Sequence, residues 1–458
     1  MQCGSNDAVG SSDLGTGLGH YIPLLLYIGF WVMSLVSLLN EPLWGFYYML
    51  PFVPYRTLRD HFQTYPLGEN MITILLLSVI IGALLRGKRL PKSKLYFIWL
   101  VFAIFTYLSM WMGTMMGTEP APLWITDITF LTWKDYMVIP LIFVASGLVL
   151  EDRKSIRNAV IITAVTLLFI DRSCLLDSMS HSWAKFDENK RGTGPLAYGP
   201  NQTATFLAQF AMFFWGIGQF LKKKYKPLCY ALVAVTIVDV VYTFSRGGYL
   251  ALLFGVLVLG LLKDRKLLVV LGVFLITWQT VVPKAVVERV SMTQTADGQL
   301  EASAQERVDL WNDALESFMR DPVFGTGFAS FQEGQHVGSL RDTHNWYVKV
   351  MVETGIVGMM IVLVMLYQML AIGFRLYRRA TDPFYRGLGL GLFACVCTCL
   401  VANLFGDRWT YVEITGLVWM LVAASVRALE LSTAEATVPL AVAQIKIEVG
   451  KNPYMAYR

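Results

Sequence analysis

Charge is scarce in this chain. Only 16% of its 458 residues are Asp, Glu, Lys or Arg, while 55% are apolar. A soluble domain carries about 25% charged residues, and about 45–50% apolar ones even with glycine counted. A chain this poor in charge cannot clothe its own surface, and its mean hydropathy is +0.52. Lipid must be its solvent, which excludes a cytosolic enzyme, a disordered protein and a secreted disulfide scaffold. The six cysteines form no zinc knuckle and no disulfide framework. Cys395, Cys397 and Cys399 lie in one apolar run and read as small residues packing between helices. The expected outer loops hold no His-x-x-x-His and no Asp-x-Asp cluster, so neither a metal nor another cofactor is expected. The net charge of +5 is small and its basic residues sit in short clusters, which argues against nucleic acid. Residues 1–19 hold no Lys or Arg. A signal peptide needs a basic start, so the first apolar run reads as a retained helix.

Long apolar runs are plentiful. A membrane span needs about 20 such residues. Candidates are 21–40, 71–86, 95–116, 137–150, 156–170, 203–221, 227–244, 247–263, 266–282, 346–374, 386–405 and 411–428. The expected fold is all-α, a polytopic membrane protein of about 12 transmembrane helices. Residues 1–428 form a single transmembrane domain and 429–458 a cytoplasmic tail. Segment 42–55 is apolar but short and holds Pro42, Pro51 and Pro54. It reads as an interfacial or re-entrant piece. Were it to span, the count would be thirteen and the N-terminus would change sides.

Short loops rich in Lys and Arg stay in the cytoplasm. The loops 86–94, 151–157, 222–226, 263–266 and 375–386 hold nineteen basic residues, whereas the alternating short segments hold one each. Both termini are therefore expected inside. The long loops 171–202 and 283–345 are expected outside. The second contains an amphipathic stretch, Glu306 to Met319, with Val308, Leu310, Trp311, Leu315 and Phe318 at helical spacing.

Few residues on that outer side can do chemistry. Arg246, in Ser245-Arg246-Gly247-Gly248, joins two apolar runs with almost no loop. An arginine at that depth is costly and marks a functional candidate. Its forked donors suit phosphate oxygens, and the glycines would let a ligand approach the backbone. The plainer reading is an arginine snorkelling from a tight turn. Arg191 opens a Gly/Pro-shaped segment that ends at Asn201, directly before a span; an anion site and a plain loop are equally compatible with it. Arg307 opens the amphipathic stretch, where a solvated arginine is the ordinary reading. His344-Asn345 lies where the long loop re-enters the membrane. Histidine can take a proton from a hydroxyl near neutral pH; it can also simply anchor a helix. Glu353, nine residues on, needs a partner inside the membrane. It could orient His344 or Arg246, or form a structural ion pair. Arginines for an anion and one histidine for a proton suggest a phosphate-bearing, lipid-linked substrate. A transporter or flippase of such a substrate is the alternative from another class.

Four segments carry a resemblance: Arg191-Gly192-Thr193 to Pro200-Asn201; Thr243 to Gly248; Glu306-Arg307 through Trp311 to Asp321-Pro322, Gly325 and Gly327; and His344-Asn345 through Glu353, Gly355 and Gly358. Their order and spacing resemble the O-antigen ligase and polymerase superfamily of bacterial membrane glycosyltransferases, over roughly residues 190–405. The resemblance implies a GT-C-type helical enzyme of the bacterial inner membrane, with its active site on the periplasmic face and a helical periplasmic loop. It implies a metal-independent, inverting transfer of a glycan from undecaprenyl pyrophosphate to an acceptor hydroxyl. The acceptor would be lipid A–core in a ligase, or a glycan in an O-antigen or exopolysaccharide polymerase. Arg191 and Arg246 would bind the pyrophosphate, Arg307 would assist, and His344 would be the general base. Asn201, Asn345 and Glu353 are further substrate-binding candidates. The stretch Asp407-Arg408-Trp409 reads either as another anion contact or as an interfacial ion pair. The polar segment Arg56 to His61 reads as a contact for acceptor or headgroups.

Overall fold

The computed structural model describes residues 21–115, 121–124, 126–179, 183–188, 191–292, 302–333 and 343–451. Among them there are helices and no strand. In chain order the helices are α1 (Ile22–Leu39), α2 (Pro42–Met49), α3 (Arg56–Asp60), α4 (Met71–Leu85), α5 (Lys94–Met115), α6 (Ile128–Val149), α7 (Arg153–Met179), α8 (Pro200–Gly218) and α9 (Lys226–Tyr242). Then follow α10 (Arg246–Leu262), α11 (Lys266–Val281), α12 (Lys284–Ser291), α13 (Ala302–Arg320), α14 (Ser330–Glu333), α15 (Trp346–Arg379), α16 (Pro383–Ala402) and α17 (Val412–Lys451). A helix occupies each of the twelve expected segments. Eight are long and apolar enough to cross a membrane, or up to nine if the bent pair α11–α12 is one span. The runs at 137–150 and 156–170 belong to the complete helices α6 and α7. α8 to α11 are shorter, at 19, 17, 17 and 16 residues.

The five basic loops gather on one face of the bundle. Lys88 Nζ lies 2.9 Å from Glu41 and 2.8 Å from Glu151. Arg153 pairs with Asp382. Lys263 and Arg386 both sit over the Phe220 ring, at 4.9 and 5.1 Å. Arg427 donates to the carbonyls of Arg89 and Gly147 at 2.7 and 2.9 Å. The end of α1, the end of α4 and the middle of α17 therefore share this face.

The start of α1 lies on the other face. The Tyr27 hydroxyl donates to the Pro66 carbonyl at 2.9 Å, and its ring stacks on Tyr65 at 4.8 Å. So α1 and α4 run in the same direction, and residues 42–67 carry the chain back through the bundle. They do so in pieces, because three prolines interrupt the helix. α2 has eight residues and covers roughly 12 Å at 1.5 Å per residue. Phe46, Met49, Leu50, Phe52 and Val53 are all buried. Residue 21 and the α17 end thus lie on opposite faces. The expectation for the two ends of the chain falls on residues 1–20 and 452–458, outside the described residues. Composition alone missed this arrangement because the return is short and broken.

The core sits where α16 packs against α8, α10 and α15. Small residues allow it. A Cβ on Gly216 would fall 2.6 Å from Gly391, and one on Gly389 would fall 2.7 Å from the Gly373 carbonyl. Cys395, Cys397 and Cys399 are buried in the same helix as free thiols. Close backbone approach of this kind is how helices associate in lipid.

α15 is broken at Gly355, whose φ of 62° and ψ of −166° are not helical. The segment after α13 repairs the break. Thr326 and Gly327 donate to the carbonyls of Val352 and Glu353, at 2.9 and 3.0 Å. Ile356 and Val357 donate to Pro322 and Val323, at 2.9 and 3.1 Å. Irregular backbone is tolerable at membrane depth only when protein satisfies it. Hence the glycines of the two motifs fit together. A Cβ on Gly355 would sit 2.3 Å from the Val323 carbonyl oxygen.

α13 lies over the first turns of α15. Leu310, Ala314, Phe331 and Val352 form its buried seam, with Phe318 and Val348 beside it. The expected apolar stripe is shifted. Trp311 is 39% and Leu315 53% exposed, because Ala314 rather than Leu315 takes the inner position.

Candidate active site

One cavity of about 700 Å³ opens on the face opposite the basic loops. Its polar end holds Arg191, Arg246, Arg289, Arg307, Arg408 and His344, with Glu188 and Glu306. Its other end is apolar, walled by Leu250, Leu253, Phe274, Leu275 and Trp278 of α10 and α11.

The turn before α10 builds the polar end. Ser245 caps the helix, its Oγ accepting from Gly248 N at 3.3 Å. The same hydroxyl donates to Asn201 Oδ1 at 2.8 Å. Asn201 Oδ1 also accepts from Arg191 Nη2 at 2.9 Å. Arg191 Nε and Nη2 bond the carbonyls of Thr243 and Phe244, at 3.2 and 3.3 Å. Thus Arg191 and Asn201 clamp this turn and set the start of α10, where Arg246 is the first residue. The helix N-terminus adds partial positive charge there. The two glycines have a different task from the one their sequence suggests. A Cβ on Gly247 would meet Phe405 at 2.9 Å, and one on Gly248 would meet Ala204 Cβ at 2.5 Å. Packing requires them, not a ligand's approach.

Arg191 keeps its charge. Burial, then the like charge of Arg289, brings its pKa down to about 10, still well above neutrality. The exposed carboxylate of Glu188 lies 3.5 Å from both Arg191 and Arg289. Arg289 enters because α11 stops before Pro283 and α12 turns away by 103°. Its guanidinium lies over Phe186 at 4.8 Å.

His344 is held on a strained turn with φ of 51°. Trp311 Nε1 of α13 donates to the Thr343 carbonyl at 2.9 Å, tying the turn to the cap. On the other side Asn345 caps α15, its Oδ1 accepting from Tyr347 and Val348 N at 3.0 and 3.3 Å. Asn345 does not line the cavity; its side chain is a helix cap rather than a ligand contact. Glu353 also lies elsewhere. It lines a second cavity, so it orients neither His344 nor Arg246. The nearby cation, Lys349, pairs with Asp407 at 3.1 Å.

In Asp407-Arg408-Trp409 the ion pair falls on Asp407. Asp407 is the buried ion-pair partner, and it also accepts from Trp409 N and Thr410 N at 3.1 Å. Burial raises its pKa, but Lys349 and Thr410 outweigh that and hold it below the ordinary carboxylate value. Arg408 turns into the arginine cavity, its amide anchored to Asn403 Oδ1 at 3.0 Å. The structure therefore brings together Arg191, Asn201, Arg246, Arg307 and His344, as the sequence suggested, and adds Arg289 and Arg408. Arg289 had one faint signal, a basic residue one turn beyond Ala285 and Val286, just after the proline that ends an apolar run.

These features define a multi-pass helical membrane protein with one arginine-rich cavity on the face away from its basic loops. The family model of O-antigen ligase matches residues 231–363, which include Arg246, Arg289, Arg307, His344 and Glu353. Over those residues, less than a third of the chain, the protein is similar to the O-antigen ligase family. No curated protein matches the chain.

Proposed function

We propose that this protein transfers a glycan from undecaprenyl pyrophosphate to an acceptor hydroxyl on the periplasmic side of the inner membrane. The observation that carries this reading is the divided cavity. Five arginines against two glutamates make one end a site for a multiply charged anion. The apolar end between α10 and α11 suits the first isoprene units of the same molecule. A free phosphate would not need it, and a neutral lipid would not need the arginines.

The basic loops face the cytoplasm in this reading. The cavity, α13 and the start of α1 then face the periplasm, and α17 ends inside. The chain crosses thirteen times, twelve by the apolar helices and once by the broken return at 42–55.

The reaction is a displacement at the anomeric carbon with inversion, and no metal takes part. The acceptor oxygen bonds to that carbon as its bond to the phosphate oxygen breaks. His344 takes the acceptor proton, worth about 10²–10⁴-fold. The departing pyrophosphate gains charge, which the arginines stabilise at roughly 3 kcal/mol per well-placed donor. Strain at His344 and the Trp311 tether hold the imidazole beside the anion site rather than leaving it to a mobile loop.

The test uses purified protein in nanodiscs with lipid-pyrophosphate-linked repeat units, with and without lipid A–core. Product that forms only with lipid A–core identifies a ligase, the outcome we expect. A ladder without it identifies a polymerase. Undiminished product from His344→Ala would overturn the general-base assignment.

A further inference from the structure

A second cavity, of about 260 Å³, lies behind the same wall that carries His344. Three segments separate the two spaces, each contributing to both. His344, Arg408 and Asn201 line the first; Trp346, Thr410 and Tyr198 line the second. The chemistry changes across that wall. Tyr198 and Tyr411 lie ring to ring at 4.5 Å, and Tyr136 stacks on Phe328 at 5.9 Å with planes 8° apart. The carboxylates of Asp135, Glu353 and Glu413 line the same space, and Asp135 pairs with Lys134 at 3.3 Å.

The nearby cations already have partners. Lys349 pairs with Asp407 at 3.1 Å, Arg59 pairs with Glu413, and Arg56 lies over the Tyr198 ring at 4.0 Å. Acceptor atoms remain. Glu353 is 3% exposed and its Oε1 has no hydrogen-bond partner; the same holds for Glu413 Oε2, on a residue 3% exposed. A buried acceptor without a donor is costly. A ligand that brings hydroxyl or amide donors suits these carboxylates better than another anion does. Aromatic walls with a few acceptors describe a site for a polyhydroxylated ring. Its volume is slightly below the roughly 300–1,000 Å³ of pockets for drug-sized ligands, which fits one ring rather than a chain.

We propose that this second cavity seats the terminal, uncharged sugar ring of the acceptor. The assignment rests on the glycosyl transfer proposed above. An inverting displacement needs the nucleophile opposite the leaving group. With the pyrophosphate among the arginines, the acceptor hydroxyl has to arrive from the side away from them, and the wall that carries His344 borders this second cavity. The same ring chemistry also belongs to the donor's glycan, so the test must tell the two apart.

Initial rates of transfer are measured in nanodiscs against acceptor and donor separately, for wild type, Tyr198→Ala, Tyr198→Phe and Glu353→Gln. Tyr198→Ala should raise the acceptor KM by about three- to tenfold and leave the donor KM unchanged. Tyr198→Phe, which keeps the ring face, should restore it, and this separates stacking from a folding defect. Glu353→Gln should raise the acceptor KM without altering the donor KM. A rise in donor KM instead would assign the ring to the donor and overturn the proposal, as would no change in either. Binding is also read without donor, by quenching of tryptophan fluorescence on adding core oligosaccharide freed from lipid A. Saturable quenching that weakens in Tyr198→Ala supports the cavity even if wild type transfers nothing, an outcome that would overturn the transferase reading alone. No saturable quenching would overturn the cavity's role.

Discussion

The two cavities share a wall and differ in almost everything else. The larger gathers five arginines that repel one another and an apolar slot that lipid can enter. The smaller gathers aromatic faces and carboxylates, and its cations are spent on ion pairs. On the proposed reading, the contrast lets one helical membrane scaffold sort an amphiphilic anion from a neutral polar ring. Residues two apart in a turn face opposite ways, so His344 and Trp346, or Arg408 and Thr410, serve different sides. His344 lines the arginine side of that wall.

The strongest way to break this contrast is at that histidine. His344→Ala should lower turnover by about 10²–10⁴-fold while binding of lipid pyrophosphate stays intact. Equal loss of binding would place His344 inside the anion site instead. Next comes the arginine side. Arg246→Ala should cost about 10²–10³-fold in turnover, read in the same gel assay. Arg246→Lys should recover only part of it, because a point charge lacks the fork.

The wall can be weakened without touching either ligand. Gly355→Ala forces a Cβ against the Val323 carbonyl at a position with φ of 62°. A loss of about 1–3 kcal/mol is expected, seen as a lower unfolding temperature, with α13 losing its protection from proteolysis first. Asp407 tests the electrostatics of the same wall. Its folded pKa is depressed, so its ionised form stabilises the fold above the ordinary carboxylate pKa of about 3.9. That contribution is lost as pH falls through the folded value. Asp407→Asn should therefore unfold at a lower temperature than wild type at pH 7, and the gap should narrow as the buffer is acidified. The smallest effect concerns which face is which. Tyr21→Cys in a Cys3→Ser background should react with a membrane-impermeant maleimide added outside intact cells. Labelling only after permeabilisation would put the start of α1 and the arginine cavity in the cytoplasm.

The helices were legible because apolar runs of span length leave few other options in so uncharged a chain. The shared face of the five loops was legible from nineteen basic residues. Segment 42–55 was not, since three prolines cut its helical signal. Arg191, Arg246 and His344 could be singled out because each stands next to a turn or helix start at the edge of an apolar run, and Arg307 because it opens the amphipathic stretch. What each does was less visible. Arg191 and Asn201 hold the Thr243–Ser245 turn, the glycines after Arg246 answer to Phe405 and Ala204, and Asn345 caps a helix. The Asn345 cap is local, but the other contacts join positions tens to hundreds of residues apart. The partner of Glu353 stayed open between His344, Arg246 and an ion pair because a nine-residue spacing does not reveal which side of a helix faces which space.

The most direct measurement is binding of radiolabelled undecaprenyl pyrophosphate to the protein in nanodiscs, with undecaprenol as competitor and Arg246→Ala as control. Saturable binding that undecaprenol does not displace, and that weakens sharply in Arg246→Ala, is the predicted result. Equal binding of the uncharged alcohol, or an unchanged affinity in Arg246→Ala, would mean that the arginine cavity is not the anion site.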